Sequence, residues 1–262
     1  MTGRLDVTRP SSASREPSVC GVLLNKDDEL QAATSAQARP PQSVICAASA
    51  ADGVRRALEQ QTEWIWLLDG SALPAPDTLA RLLDALEVLG DNVPALLASK
   101  ILAGDGTLAL GMVPWPRRGQ IELAMFAFER HSVPIRAAPG ASLLVSTAVA
   151  QEHSPPADRV ASGLAVLGWT ARMLRRGSGF QVPASVASLR EEDSFDSEGF
   201  GRDPLDEACG TGSLLATDAW DFKERLWLSG DMLAGAARTV KADHISPWAI
   251  AGAVIRGLRT PA

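Results

Sequence analysis

Two short segments place carboxylates directly after apolar runs, the position in a chain where polar groups are best held for chemistry. Asp69-Gly70-Ser71 follows Trp64-Ile65-Trp66-Leu67-Leu68, and Asn25-Lys26-Asp27-Asp28 follows Val19-Cys20-Gly21-Val22-Leu23-Leu24. Both runs read as buried strands, and ligands of open parallel sheets sit at the carboxyl ends of strands. A carboxylate there, beside a glycine that permits close backbone approach, suits a divalent cation bound together with a diphosphate. Asp-Gly is equally the pair of an ordinary turn, so the segment alone leaves both readings open. Lys100, at the end of the apolar run from Ala95, reads either as a partner for a diphosphate or as a solvated lysine.

Other chemistries have little raw material. The three histidines, His131, His153 and His244, show no metal-ligand or triad spacing, and the three cysteines, Cys20, Cys46 and Cys209, include no CxxC pair. No GxGxxG follows the first apolar run, which weakens a dinucleotide-binding reading.

The elements that must position these residues alternate. Val19 to Leu24, Ser43 to Ala47, Trp64 to Leu68 and Ala95 to Leu102 read as strands. Asp28 to Ala38, Ala51 to Gln61 and Pro76 to Leu89 read as the helices between them. This order predicts an α/β fold with a mainly parallel sheet flanked by helices. After Gly104-Asp105-Gly106 the pattern loosens. Thr107 to Val113 and Pro134 to Ala138 are expected to form a small antiparallel patch, with Pro114 to Arg118 a loop between them. Gly140 to Val145 is a further strand, Gly163 to Arg176 a helix stopped by Gly177, and Phe180 to Val186 a final strand. Arg190 to Asp206 is acidic and reads as a solvated loop. Thr217 to Val240 and Pro247 to Leu258 are expected to be closing helices.

At this point the residues resemble a family. Trp64 to Leu79, with Asp69-Gly70-Ser71 at its centre, resembles the segment around the DXD motif of family 2 glycosyltransferases of GT-A fold, especially the bacterial rhamnosyl- and galactofuranosyl-transferase-like branch. Pro139-Gly140-Ala141-Ser142-Leu143-Leu144-Val145 is similar to its glycine-containing strand before the acceptor loop. Gly168-Trp169-Thr170-Ala171-Arg172-Met173-Leu174-Arg175-Arg176-Gly177, followed by Val182-Pro183, resembles its later helix and strand. The likeness spans residues 18 to 190. It implies a GT-A-like domain that moves a sugar from a nucleotide-sugar donor to a cell-envelope glycan or lipid-linked acceptor. Asp69 would orient the donor and help hold a divalent metal, Mn or Mg, with Ser71 a minor ligand where the second aspartate stands in the family. Asn25 would lie near the base or ribose, and Gly140, Ala141, Ser142 and Trp169 would face the acceptor. Arg172, Arg175 and Arg176 would pair with a phosphate of the substrate, or form the basic last turn that a helix dipole favours. Trp169 reads equally as a core residue.

The chain departs from that pattern where catalysis needs it most. The family's acidic pair before the tryptophan, which supplies the general base, is replaced by Leu164-Ala165-Val166-Leu167-Gly168. The histidine expected after the Val-Pro strand is absent from Val186-Ala187-Ser188-Leu189-Arg190. The nearest carboxylates in sequence are Glu191, Glu192 and Asp193. A relative that keeps the fold without turnover, binding a glycan or a partner protein, is therefore the alternative.

The formal net charge of −6 argues against a broad nucleic-acid surface. Residues 1–17 are Ser-, Arg- and Pro-rich with no apolar centre, and read as a flexible tail rather than a secretory signal. Residues 18–204 are expected to form the nucleotide-sugar-binding domain and 205–262 a helical extension. Pro247 to Arg259 is apolar with Trp248 at one end and arginines at the other, and is too short to span a bilayer. It would lie peripherally at a membrane's inner face, or dock on the core or on a second subunit. Unpaired cysteines fit a cytoplasmic location.

Overall fold

Val19–Leu24 (β1) and Trp64–Leu68 (β3) are buried along their whole length and lie side by side in parallel, Val22 opposite Leu67. Continuous apolar sequence is what a strand covered on both faces requires. The computed structural model describes residues 16–24, 27–90, 92–109, 114–117, 120–157, 162–190, 209, 212–221, 223–225 and 246–259. Around β1 and β3 it arranges Asp28–Ser35 (α1), Ser43–Ala47 (β2), Ala50–Leu58 (α2), Ala72–Pro74 (β4), Thr78–Leu89 (α3), Leu96–Leu102 (β5), Trp115–Pro116 (β6) and Ile121–Glu129 (α4). Val133–Ala137 (β7), Leu143–Ser146 (β8), Thr147–Gln151 (α5), Ser162–Met173 (α6), Gly179–Leu189 (β9) and Pro247–Leu258 (α7) complete the elements.

The strands form one nine-stranded sheet in the order β2-β1-β3-β8-β5-β9-β7-β6, with β4 added alongside β9. The sheet is mixed: β1, β2, β3, β5, β9 and β6 point one way, while β4, β7 and β8 run against them. Alternation along each strand feeds two cores. Cys20, Val22, Leu24, Ile65 and Leu67 pack with α2, α5 and α6 on one face. Val19, Leu23, Trp64, Trp66 and Leu68 pack with α1, α3 and α4 on the other. The result is an α/β domain with helices on both faces of a mixed sheet in which six of the nine strands share one direction.

Several sequence expectations change. Antiparallel pairing is not confined to a small patch, because β8 sits at the centre of the sheet between β3 and β5. Of the predicted strand 107–113, the structure shows one bridge, Leu108 to Leu102, and 110–113 lie outside the described residues. The partner of β7 is β6, from the segment predicted as a loop. Ala72–Pro74, just after the Asp69 turn, adds a further strand, β4. Pro74 and Pro116 are tolerated because both strands lie at edges, where a missing N–H breaks no ladder. Pro183 falls in the irregular stretch of β9, where the register steps from Ser99–Val182 to Lys100–Val186.

Toward the C-terminus, 212–216 is helical and the predicted helix from Thr217 is broken at its start. The Leu214 carbonyl accepts from Thr217 Oγ1 at 2.8 Å and from Trp220 Nε1 at 3.0 Å, which turns the chain. Residues 226–240 of that predicted helix lie outside the described residues. Leu214, Ala219 and Trp220 pack on Ala137 of β7 and Leu164, Leu167 and Ala171 of α6. Ala253 of α7 is fully buried and Gly212 lies against the Val254 backbone, so this helix docks on the rest of the chain. Among the described residues no helix is long and apolar enough to cross a membrane.

Candidate functional site

Asp69 follows the last residue of β3, and its backbone N–H donates to the Gly140 carbonyl at 3.2 Å. Its Oδ1 accepts from the Ser71 N–H at 2.9 Å and from Ser71 Oγ at 2.5 Å. This closes a turn in which Gly70 has φ +85°, a conformation that glycine adopts without strain. The Asp69 side chain is half-buried while Ser71 is buried.

Gly140 faces the other carboxylate oxygen. A Cβ built on it would stand 3.2 Å from Asp69 Oδ2 and 3.5 Å from Val166 Cγ1. The first half of α6 therefore lines the same corner, with Val166 beside Gly140. No acid occurs from Leu164 to Gly168, so the wall across from Asp69 is apolar at this point.

The other predicted residues divide. Asn25 lies outside the described residues. Lys100 is half-buried on β5, directly after the register step against β9. Ala141 is buried against Ile101 and Ala187. Ser142 is buried too, and its Oγ accepts from Trp66 Nε1 at 3.2 Å and lies 2.8 Å from Ser99 Oγ. Both side chains bind sheet to sheet neighbours and turn away from any solvent-borne acceptor. Trp169 is fully buried in the core under β1, β3 and β8. A ring with no exposed face cannot stack on a sugar arriving from solvent, so the core reading of Trp169 is the one observed.

Arg172 lies further along α6 than Val166, at the last turn and within electrostatic range of Asp218, and burial pulls its pKa down. Arg175 Nη1 donates to the Asp218 carbonyl at 2.6 Å. These arginines serve the packing of 212–221 onto α6. Glu191, Glu192 and Asp193 lie outside the described residues.

The structure adds Arg190 and Glu29 to the site and ties them to Asp27 of the first acidic segment. Ala72 of β4 pairs with Leu189 of β9, which brings Arg190 beside the Asp69 turn, and the Arg190 N–H donates to the Ser71 carbonyl at 3.2 Å. The Arg190 guanidinium is paired with Asp27 through Nη1 and with Glu29 through Nη2. Asp27 is also the N-cap of α1: its Oδ1 accepts from the N–H groups of Glu29 and Leu30 at 2.9 and 3.1 Å. The hydrogen bond from Arg190 holds the Asp27 carboxyl below the usual carboxylate range, and both carboxylates raise Arg190. The one sequence signal for Arg190 is its place just after the last strand, since its partners lie 163 and 161 residues away.

The fit to a divalent cation is poor. Among the described residues no three His, Cys, Asp or Glu side chains come together as a metal site. Asp69 offers one carboxylate, and the Ser71 hydroxyl that stands for a second ligand points its proton at that carboxylate. A hard dication wants six or more oxygens, so the described donors alone do not complete a metal site.

No family model matches the chain, and no curated protein matches it in sequence. Among solved structures, the mannosyltransferase PcManGT from Pyrobaculum calidifontis, in complex with GDP-Man and Mn2+, is similar over 91% of this chain and 79% of its own, with a TM-score of 0.50 and 14% identity. GalNAc-T7 with UDP, GalNAc and Mn2+ aligns over 83% of this chain and 55% of its own, with a TM-score of 0.47 and 9% identity. At such identities a likeness shows a fold and leaves the activity open. The fold of this chain is the α/β arrangement of GT-A-type glycosyltransferases.

Proposed function

We propose that the chain is a nucleotide-sugar-dependent glycosyltransferase of the rhamnosyl- and galactofuranosyl-transferase-like kind, acting on a cell-envelope glycan or lipid-linked acceptor. The observation that carries this reading is the placement of Asp69 at the carboxyl end of β3, its carboxylate held by Ser71 and faced by Gly140. In an open α/β sheet that end is where a nucleotide sits. The GDP-Man and Mn2+ of the mannosyltransferase with this fold support it.

On this reading residues 18–204 bind the donor, and 205–262 are an extension of that domain. Asp69 orients the ribose and the diphosphate, Asn25 and Lys100 flank the nucleotide, and the missing side chain of Gly140 leaves room for the sugar beside the carboxylate. Any divalent cation would arrive with the diphosphate and share Asp69. The stretch Leu164 to Gly168, where the resembled family carries its general base, holds no acid.

That last point favours a second reading, in which the chain binds a nucleotide sugar or glycan without transferring it. Val166, an apolar residue, stands beside Gly140 in the segment where the resembled family carries its acids. Calorimetry with UDP-, GDP- and dTDP-sugars, with and without manganese, tests the first step. Binding lost in Asp69→Ala supports a donor site, and no binding to any member removes the transferase reading. Release of nucleoside diphosphate in the presence of membrane glycolipid extracts then separates transfer from silent binding.

A further inference from the structure

The turn at Asp69 carries acidic charge, and the start of α1 beside it carries Asp27 and Glu29, yet these acids do not converge into a cation cage. A nucleoside diphosphate placed here needs a positive partner that the carboxylates cannot recruit unaided. Among the described residues, Arg190 is a basic group bonded into this corner, fixed at its backbone to Ser71 and at its guanidinium to Asp27 and Glu29.

Its two ion pairs differ in kind. Asp27 is 22% exposed and its second oxygen is held by the α1 cap, so it fixes the guanidinium in place. Glu29 is 64% exposed, and an ion pair to such a side chain is weak and screened. A guanidinium presents five N–H groups in a planar fork that matches phosphate oxygens in pairs. An incoming phosphate therefore competes with Glu29 and not with Asp27.

We propose that Arg190 is the cation that pairs with the diphosphate of a nucleoside-diphosphate ligand at the Asp69 turn, with Glu29 as the group it releases and Asp27 as the group that positions it. This rests on the nucleotide reading of the site. It assigns to a side chain the charge that the donor set fails to hold as a metal.

The test is calorimetric titration of the full chain with UDP and GDP, in EDTA and in manganese, for the wild type and for Arg190→Gln, Arg190→Lys and Glu29→Gln, with thermal melting of each variant to confirm folding. The expected result is binding that persists in EDTA. It falls roughly tenfold or more in Arg190→Gln, the effect of losing one charge-assisted contact, and is partly restored in Arg190→Lys. Glu29→Gln is expected to bind a few-fold tighter, since it removes the competing anion. A purely structural clamp would not produce that gain. Binding that needs manganese and is unchanged in Arg190→Gln overturns the role of Arg190 and leaves the nucleotide reading standing. Glu29→Gln weakening binding as much as Arg190→Gln overturns it too. No binding of either nucleotide under any condition overturns both.

Discussion

Arg136 Nε meets Glu224 Oε1 at 2.6 Å across the joint between β7 and the chain beyond residue 212. The Arg136 side chain is 10% exposed, donates to the Ala171 carbonyl at 2.6 Å and to the Ala219 carbonyl, and lies 4.9 Å from the Trp220 ring. A buried guanidinium stripped of its carboxylate is left uncompensated. Glu224→Ala is therefore expected to lower stability by about 3 kcal/mol, read as a shift in the urea midpoint. An unmoved midpoint would mean that Glu224 contributes nothing to this joint.

A second buried device crosses the sheet. Trp66 Nε1 donates to Ser142, and Ser185 Oγ donates to the Thr78 carbonyl at 2.9 Å. With its proton committed there, Ser185 must accept from Ser99, and Ser99 must in turn accept from Ser142, at 2.8 Å each. The chain of hydroxyls runs one way, so Ser99→Ala breaks it at both neighbours. A loss of about 1 to 3 kcal/mol is expected from the unsatisfied groups, measured by chemical denaturation. A stability equal to wild type would argue that water replaces the missing hydroxyl.

Gly140→Ala places a methyl group 3.2 Å from Asp69 Oδ2. The carboxylate must give way by a few tenths of an ångström while the fold stays intact. Nucleotide affinity is expected to fall roughly fivefold, about 1 kcal/mol, with the melting temperature little changed. Equal affinity in calorimetry would show that the ligand does not depend on the placing of Asp69.

Acid should find the Asp27 clamp late. The hydrogen bond from Arg190, aided by the N–H groups of Leu30 and Glu29, holds the Asp27 carboxyl below its unfolded value of about 3.9. A group whose folded pKa is depressed stabilises the fold above the unfolded pKa and loses that contribution as pH falls through the folded one. Unfolding free energy measured from pH 5 downward should thus fall more steeply below about pH 4 in wild type than in Asp27→Asn. Parallel curves for the two proteins would contradict this.

The strands of the first half were legible because their burial on both faces writes an uninterrupted apolar run, as at Trp64–Leu68. α4 was not, because the helix is apolar outside as well as inside: Ala127 faces the core while Ile121, Met125 and Phe128 are exposed, which erases the amphipathic contrast. Trp169 illustrates the limit from the other side. Its spacing on α6 was readable, but periodicity does not say which face of a helix meets the sheet, and here that face carries the tryptophan.

By itself the sequence determined the alternation of strand and helix, and with it that Asp69 and Asp27 would stand just beyond strand ends, because apolar runs must be buried and polar residues mark where they stop. The tertiary structure decided what those carboxylates meet. Asp69 faces Gly140 and Val166, Asp27 holds Arg190, and Ser142 and Trp169 turn into the core. Each of these depends on pairings between segments far apart in the chain, which packing selects and local composition does not record.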